Sequence, residues 1–235
     1  MNEKALVQDS REQMLLGIDT CGPMGSVALG RLVDGEIEVV GQIELEGRSY
    51  SATLVAAVGD LLARFGVALR DLRAIVAVNG PGSFTGVRVG LAAVKGLAEV
   101  APIPVVAVSR LEVLAWKGGV GSAALDAHRH EVFLRLSDGG LSSRELLAGL
   151  DELKAIDLGG VQIAVCDDAA GILLQAVWPN LDLVRSFAPT AGDALQLCGA
   201  RVARQEFANL ALLDGHYLRR SDAEIFGEAA KAHTA

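Results

Sequence analysis

The residues best placed to do chemistry form one stretch, Asn79-Gly-Pro-Gly-Ser-Phe-Thr-Gly-Val-Arg88. A turn this rich in glycine between an apolar strand and a helix brings backbone N–H groups close to a helix N-terminus, a geometry that favours anions. It is not a P-loop: Gly82 to Gly86 is the wrong spacing, and no Lys-Ser or Lys-Thr follows to hold a β/γ-phosphate or magnesium. On motif physics alone the plainer reading is that Thr85 caps the helix while Gly80, Pro81, Gly82 and Gly86 permit a tight turn.

Other reactive side chains are scattered. Asp19 and Asp126 each close an apolar run just before a turn, where a carboxylate accepts backbone N–H bonds or faces a magnesium-nucleotide. His128 and His130 are spaced to share a strand face, while His216 and His233 lie far along the chain, so solvated imidazoles are expected and no metal site. Cys21, Cys166 and Cys198 are odd in number, far apart and without C-x-x-C spacing, and read as reduced, buried small hydrophobes. No nucleophile emerges. Ser83 and Thr85 have no histidine nearby in sequence, and Cys21 sits in a turn without an evident base.

The elements that must position these residues follow from hydrophobic patterning. Met14–Thr20, Ser26–Val33 and Glu36–Leu45 read as three antiparallel strands, with Asp34-Gly35 as a hairpin turn. Leu54, Val58, Leu61, Leu62 and Phe65 fall at helical spacing, with Gly66 placed to stop the helix. Ala74–Val78 is a buried strand, Thr85–Val100 a helix and Val105–Val108 a parallel strand. The order βββαβαβ predicts an α/β, ribonuclease-H-like lobe of the kind found in actin-like (ASKHA) proteins. A weaker second copy is expected in Ala123–Ala127, Glu131–Leu136, Gln162–Cys166 and the helix Ala191–Glu206, giving two lobes, each a mixed sheet flanked by helices. The expected division is an extension over 1–13, a first lobe over 14–109, a smaller, degenerate second lobe over 110–220 with a hinge at Gly118–Ser122, and a loose tail over 221–235.

With 51% hydrophobic and 21% charged residues the chain folds rather than remaining disordered. A formal charge of −8 argues against a surface that grips a phosphate backbone alone, so contact with a nucleic acid would be indirect. No apolar window is long enough to span a membrane and the start is polar, which places the chain in the cytoplasm.

Two helices offer surfaces for assembly. Gly86, Gly90 and Val94 share one stripe of the second helix, with Ala92 and Gly96 beside it, so another backbone could approach closely. The first helix has a small-residue stripe at Ala52, Ala56 and Gly59 next to its apolar one. From the residues alone, these stripes serve equally well to pack the lobe's own sheet.

The string Gly80-Pro-Gly-Ser-Phe-Thr-Gly-Val-Arg-Val-Gly90, between an apolar strand and a small-residue helix, closely resembles the signature of the TsaB (YeaZ) family. Ile18–Leu29 resembles that family's opening hairpin and Arg48–Leu62 its first helix. Val106–Leu114 is similar to the segment after the signature, Leu125–Phe133 to its "DAR-x-x-EVY" strand and Tyr217-Leu-Arg219 to its closing tripeptide. The resemblance runs from Met14 to Glu224 and is weakest between Ser137 and Gly160.

This resemblance implies a non-catalytic dimerisation subunit in the formation of threonylcarbamoyladenosine in tRNA. It implies a paralogous relation to the catalytic TsaD, whose metal-binding H-x-x-x-H pattern falls here on Arg110 and Leu114, neither of which can be a ligand. It further implies pairing through the two helices, as a homodimer alone and as a heterodimer with TsaD, which then meets the ATPase TsaE. The candidate surface is Ala52, Val55, Ala56 and Gly59 with Gly86, Gly90 and Ala93. No cofactor is expected on the chain alone; ATP or the adenylate would be met only at the shared interface. Where the family has His and Pro near the first helix, this chain has Tyr50 and Ala56, which predicts a straighter helix. The alternatives are a glycoprotease-like metal-dependent hydrolase and an ATP-dependent small-molecule kinase of the same fold.

Overall fold

A computed structural model of the chain describes residues 13–139 and 142–219. The tail read over 221–235, and the extension over 1–13 apart from Gln13, lie outside the described residues. The first strand, β1 (Met14–Asp19), is buried along its whole length. It pairs antiparallel with β2 (Met24–Val33), which pairs with β3 (Glu36–Glu46). Asp34 and Gly35 take φ of 51° and 88°, the two left-handed residues that a tight hairpin between twisted strands requires. Helix α1 (Tyr50–Arg64) leads to β4 (Leu72–Val78), parallel to β1, and α2 (Phe84–Val100) leads to β5 (Val105–Val108), parallel to β4. The first sheet is ordered β3-β2-β1-β4-β5.

Helix α3 (Arg110–Lys117) then crosses to the second sheet. Its elements are β6 (Ser122–Asp126), β7 (Val132–Ser137), β8 (Ser143–Ala148), α4 (Leu150–Lys154), β9 (Ile163–Val165), α5 (Asp168–Val177) and β10 (Leu183–Arg185), with strand order β10-β9-β6-β7-β8. Three antiparallel strands followed by parallel additions next to the first strand is the same wiring as in the first sheet. The chain is thus an actin/ASKHA-like α/β protein with two mixed sheets, each flanked by helices.

The second half differs from its sequence reading in three respects. Strand β8, helices α4 and α5 and strand β10 were not foreseen. Helix α6 (Ala191–Ala203) ends earlier than Glu206, and by chain order it falls in the second half yet packs on the first sheet. Its Ala191, Ala194, Leu195, Cys198 and Val202 join the core formed by β1, β2 and β4. The contact is close: a Cβ at Gly17 in β1 would lie 2.6 Å from the Ala191 carbonyl oxygen. Gly41 in β3 meets Leu61 and Phe65 at the end of α1 instead, whereas its neighbour Gln42 accepts the Gly192 N–H of α6 at 3.1 Å. Because successive strand residues point to opposite faces, α1 and α6 cover the two faces of one sheet. Among the described residues no helix is long and apolar enough to cross a membrane.

Candidate functional site

The glycine-rich turn lies where β4 gives way to α2, against the Thr20-Cys21 turn that follows β1. Ser83 donates its backbone N–H to the Cys21 carbonyl at 2.8 Å, and the Thr20 hydroxyl donates to the Gly86 carbonyl at 2.7 Å. Gly80 needs its missing side chain for backbone reasons, with φ of +113°. Gly82, Gly86 and Gly90 need theirs for space, since a Cβ would run into the Cys21 carbonyl, the Thr20 carbonyl and the Thr20 hydroxyl respectively. Thr85 does not cap the helix. Ser83 does, its hydroxyl accepting the Gly86 N–H at 3.3 Å, because α2 begins at Phe84 and so makes Ser83 the residue just before the first turn. Arg88 is exposed, its guanidinium 3.7 Å above the Phe84 ring, which lies 5.0 Å from the Tyr217 ring.

Asp19 is fully buried beneath this turn. One carboxylate oxygen accepts the Cys21 N–H at 2.8 Å, and the other lies 3.4 Å from Nε of Arg110, itself 5% exposed. Arg110 opens α3, and its backbone N–H donates to the Gly80 carbonyl at 2.6 Å, tying the signature to the crossing helix. Burial is the largest influence and disfavours charge on this guanidinium, but attraction to Asp19 together with smaller contributions outweighs it, and its pKa is raised. Leu114, one turn on, is fully buried against Leu111, Ala123 and Phe133. A metal does not fit here. Arg110 presents a guanidinium, Leu114 a core aliphatic side chain, and both oxygens of the nearby carboxylate are engaged.

Asp126 at the end of β6 accepts the His128 N–H at 2.8 Å on one oxygen and lies 2.8 Å from His128 Nδ1 on the other. It serves as a turn carboxylate. His128 and His130 do not share a strand face: with Arg129 they form a left-handed turn, φ of 59°, 57° and 61°, between β6 and β7. Among the described residues no three His, Cys, Asp or Glu side chains are grouped to hold a metal ion. Burial pushes the Cys21, Cys166 and Cys198 thiols above their ordinary pKa, Cys198 to about 12, which is the wrong direction for a nucleophile.

Sequence reasoning missed a second polar node. Glu145 of β8 collects the Ser109 hydroxyl at 2.7 Å, Arg135 Nη1 at 2.8 Å and His216 Nε2 at 2.8 Å. Burial alone would raise its pKa, but these hydrogen bonds outweigh burial and lower it. His216 belongs to a strap formed by the last described residues. Its N–H donates to the Asn79 carbonyl at 2.7 Å, and Asn79 Nδ2 donates to the Asp214 carbonyl at 3.4 Å. Further along the strap, Arg219 pairs with Glu131. The strap binds both lobes over the start of the signature. No local motif announces this node, since its members come from four separate segments.

Tyr50 is also structural. Its hydroxyl donates to the Gly22 carbonyl at 2.8 Å, bracing the turn after Asp19, and its pKa is pushed up to about 12 by burial and then by Asp19.

The two helices divide their stripes differently from each other. On α1, which is continuous through Ala56, residues Ala52, Val55, Ala56 and Gly59 are all exposed; Val55 is 63% accessible and a Cβ at Gly59 would meet nothing. On α2, Gly86, Gly90 and Val94 are buried in their own lobe against Thr20 and the sheet, so this stripe is not free to receive a partner, and Ala93 is half-buried on the core. Ala92 and Gly96 remain exposed.

A family model for TsaD, tRNA N6-adenosine threonylcarbamoyltransferase, matches residues 43–142. In sequence, the tRNA threonylcarbamoyladenosine biosynthesis protein TsaB of Escherichia coli K12 is 37% identical over 125 residues, covering 51% of this chain and 52% of the relative. The protein of the same name from Bacillus subtilis 168 is 39% identical over 127 residues, 52% of this chain and 54% of the relative. The chain thus spans about half the length of the curated relatives it matches. In structure, it is similar to YeaZ from Pseudomonas aeruginosa, with 29% identity and a TM-score of 0.67, covering 88% of this chain and 100% of that one.

Proposed function

Because the chain closely resembles the YeaZ/TsaB family, paralogues of the TsaD threonylcarbamoyltransferase, we propose that it is a non-catalytic subunit required for threonylcarbamoyladenosine formation in tRNA. The observation that carries this reading is the Asp19–Arg110 pair: the positions that the resemblance sets against the catalytic paralogue's metal-binding histidines hold a buried arginine and, at Leu114, a core side chain. The chain therefore contributes a surface and not a reacting group. That surface is the exposed face of α1, Ala52, Val55, Ala56 and Gly59, whose small and apolar side chains let a facing helix approach closely.

The partner on this face is a TsaD-type catalytic paralogue, and in its absence a second copy of the chain. The ATPase TsaE joins the pair, ATP or the adenylate is met at the shared interface, and tRNA is engaged through the paralogue, all in the cytoplasm. Neither the hydrolase nor the kinase reading is favoured by the site: the buried thiols are held protonated, and Asp19 and Asp126 are committed to neighbours within the chain.

The test is threonylcarbamoyl transfer to tRNA by the cognate paralogue, with its adenylate-forming enzyme and ATPase, in the presence and absence of this chain. Modification should require the chain, and the chain alone should give none. Equal turnover without it refutes the proposal.

A further inference from the structure

The Asp19–Arg110 site is sealed, ionic and separate from the proposed pairing surface. Asp19 is fully buried at the end of β1 and Arg110 is 5% exposed at the start of α3. The wall facing the guanidinium is Gly22, where a Cβ would lie 3.0 Å from Arg110 Cζ, so the chain leaves room there for a planar cation and little else. The stem is fixed at its root, because the Arg110 N–H is held by Gly80 and the Ser109 hydroxyl accepts the Leu111 N–H at 3.2 Å. Arg110 opens α3, which packs on β6 of the second sheet, while its guanidinium reaches Asp19 of the first, which places it between the lobes. Burial keeps the Cys21 and Cys166 thiols protonated, leaving one carboxylate to balance one cation.

We propose that Arg110 is a resident cation: its guanidinium fills, from within the chain, a small-cation site whose anionic wall is Asp19, and removing the side chain turns that place into a receptor for a free guanidinium-class ion. A cation supplied covalently cannot dissociate, so Asp19 keeps its partner whatever the concentration of free cations around it. The inference does not rest on the role in tRNA modification and survives its failure.

The experiment uses the full chain carrying Arg110→Ala and follows thermal unfolding during titration with ethylguanidinium chloride, which reproduces the atoms removed beyond Cβ. Sodium chloride and ethylammonium chloride at equal concentration serve as controls. The variant should melt well below the parent, and saturating ethylguanidinium should raise its Tm by roughly 5–10 °C. The parent should not respond. The double variant Asp19→Asn, Arg110→Ala, having neither charge, should fold without additive and give no response. If Arg110→Ala does not fold unaided, the soluble yield on refolding with and without ethylguanidinium gives the same readout. Indifference to ethylguanidinium, an equal response to sodium chloride, or an undiminished response in the double variant overturns the proposal.

Discussion

Two glycines on one helix should respond in opposite senses to the same added methyl group. Gly96 lies on the exposed side of α2, where a Cβ meets nothing within 4 Å, whereas a Cβ at Gly90 runs into the Thr20 hydroxyl. At Gly96 an alanine only reduces the freedom of the unfolded chain and improves helix propensity, stabilising by about 0.5–1 kcal/mol. At Gly90 the same gain is set against overpacking of about 1–3 kcal/mol and loss of the buried Thr20 to Gly86 hydrogen bond, about 1 kcal/mol more. Gly90→Ala should therefore be destabilised by about 1–3 kcal/mol, lowering Tm by roughly 2–12 °C, while Gly96→Ala melts slightly higher than the parent. Urea unfolding of the two variants side by side, read as midpoints with unchanged slope, is the assay. Equal stability of the two would refute the seating of α2 on Thr20. It would also return Gly90 to the partner surface from which that seating removes it.

Val55→Arg on the exposed face of α1 should leave folding unchanged within about 0.5 kcal/mol yet weaken pairing with the catalytic paralogue at least ~10-fold, as titration calorimetry would show. Glu145 ionises more readily in the folded than in the unfolded chain, so its contribution is fully present above the ordinary carboxylate pKa of 4.5 and is lost as the pH falls below it. Glu145→Gln should accordingly lower the urea midpoint at neutral pH, with the two curves converging in acid. Of the two tyrosines, Tyr50 should ionise near pH 12 in a spectrophotometric titration, and Tyr50→Phe should remove that step.

The first sheet was legible because each of its signals is local. Asp34-Gly35 dictates the hairpin, and Ala74–Val78 is too short and too apolar to be anything but a buried strand. The second sheet was legible only in β6, β7 and β9, because β10 is three residues long and the Arg-Glu-Leu-Leu-Ala of β8 does not alternate. Its strand identity comes from pairing with β7, which no local pattern encodes. The glycine stripe of α2 was visible, but its direction was not: sequence shows that Gly86 and Gly90 share a face, while only the fold shows that Thr20 occupies it. Arg110 was recognised as an impossible metal ligand. Its role as a buried partner of Asp19 joins residues distant in the chain and is created only by the fold.

The position of α6 constrains how the protein is made. The sheet it covers is complete in sequence at Val108, but α6 begins only at Ala191, and until then the face that includes Gly17 lacks its cover. At translation speeds of about 5–20 residues per second, that face stays bare on the nascent chain for roughly 4–16 s. The strands of the second sheet are synthesised meanwhile, beside an unshielded apolar sheet. A ribosome-stalled chain ending before α6 should accordingly be a strong client of chaperones that bind exposed apolar surface, and one extended past the strap should not.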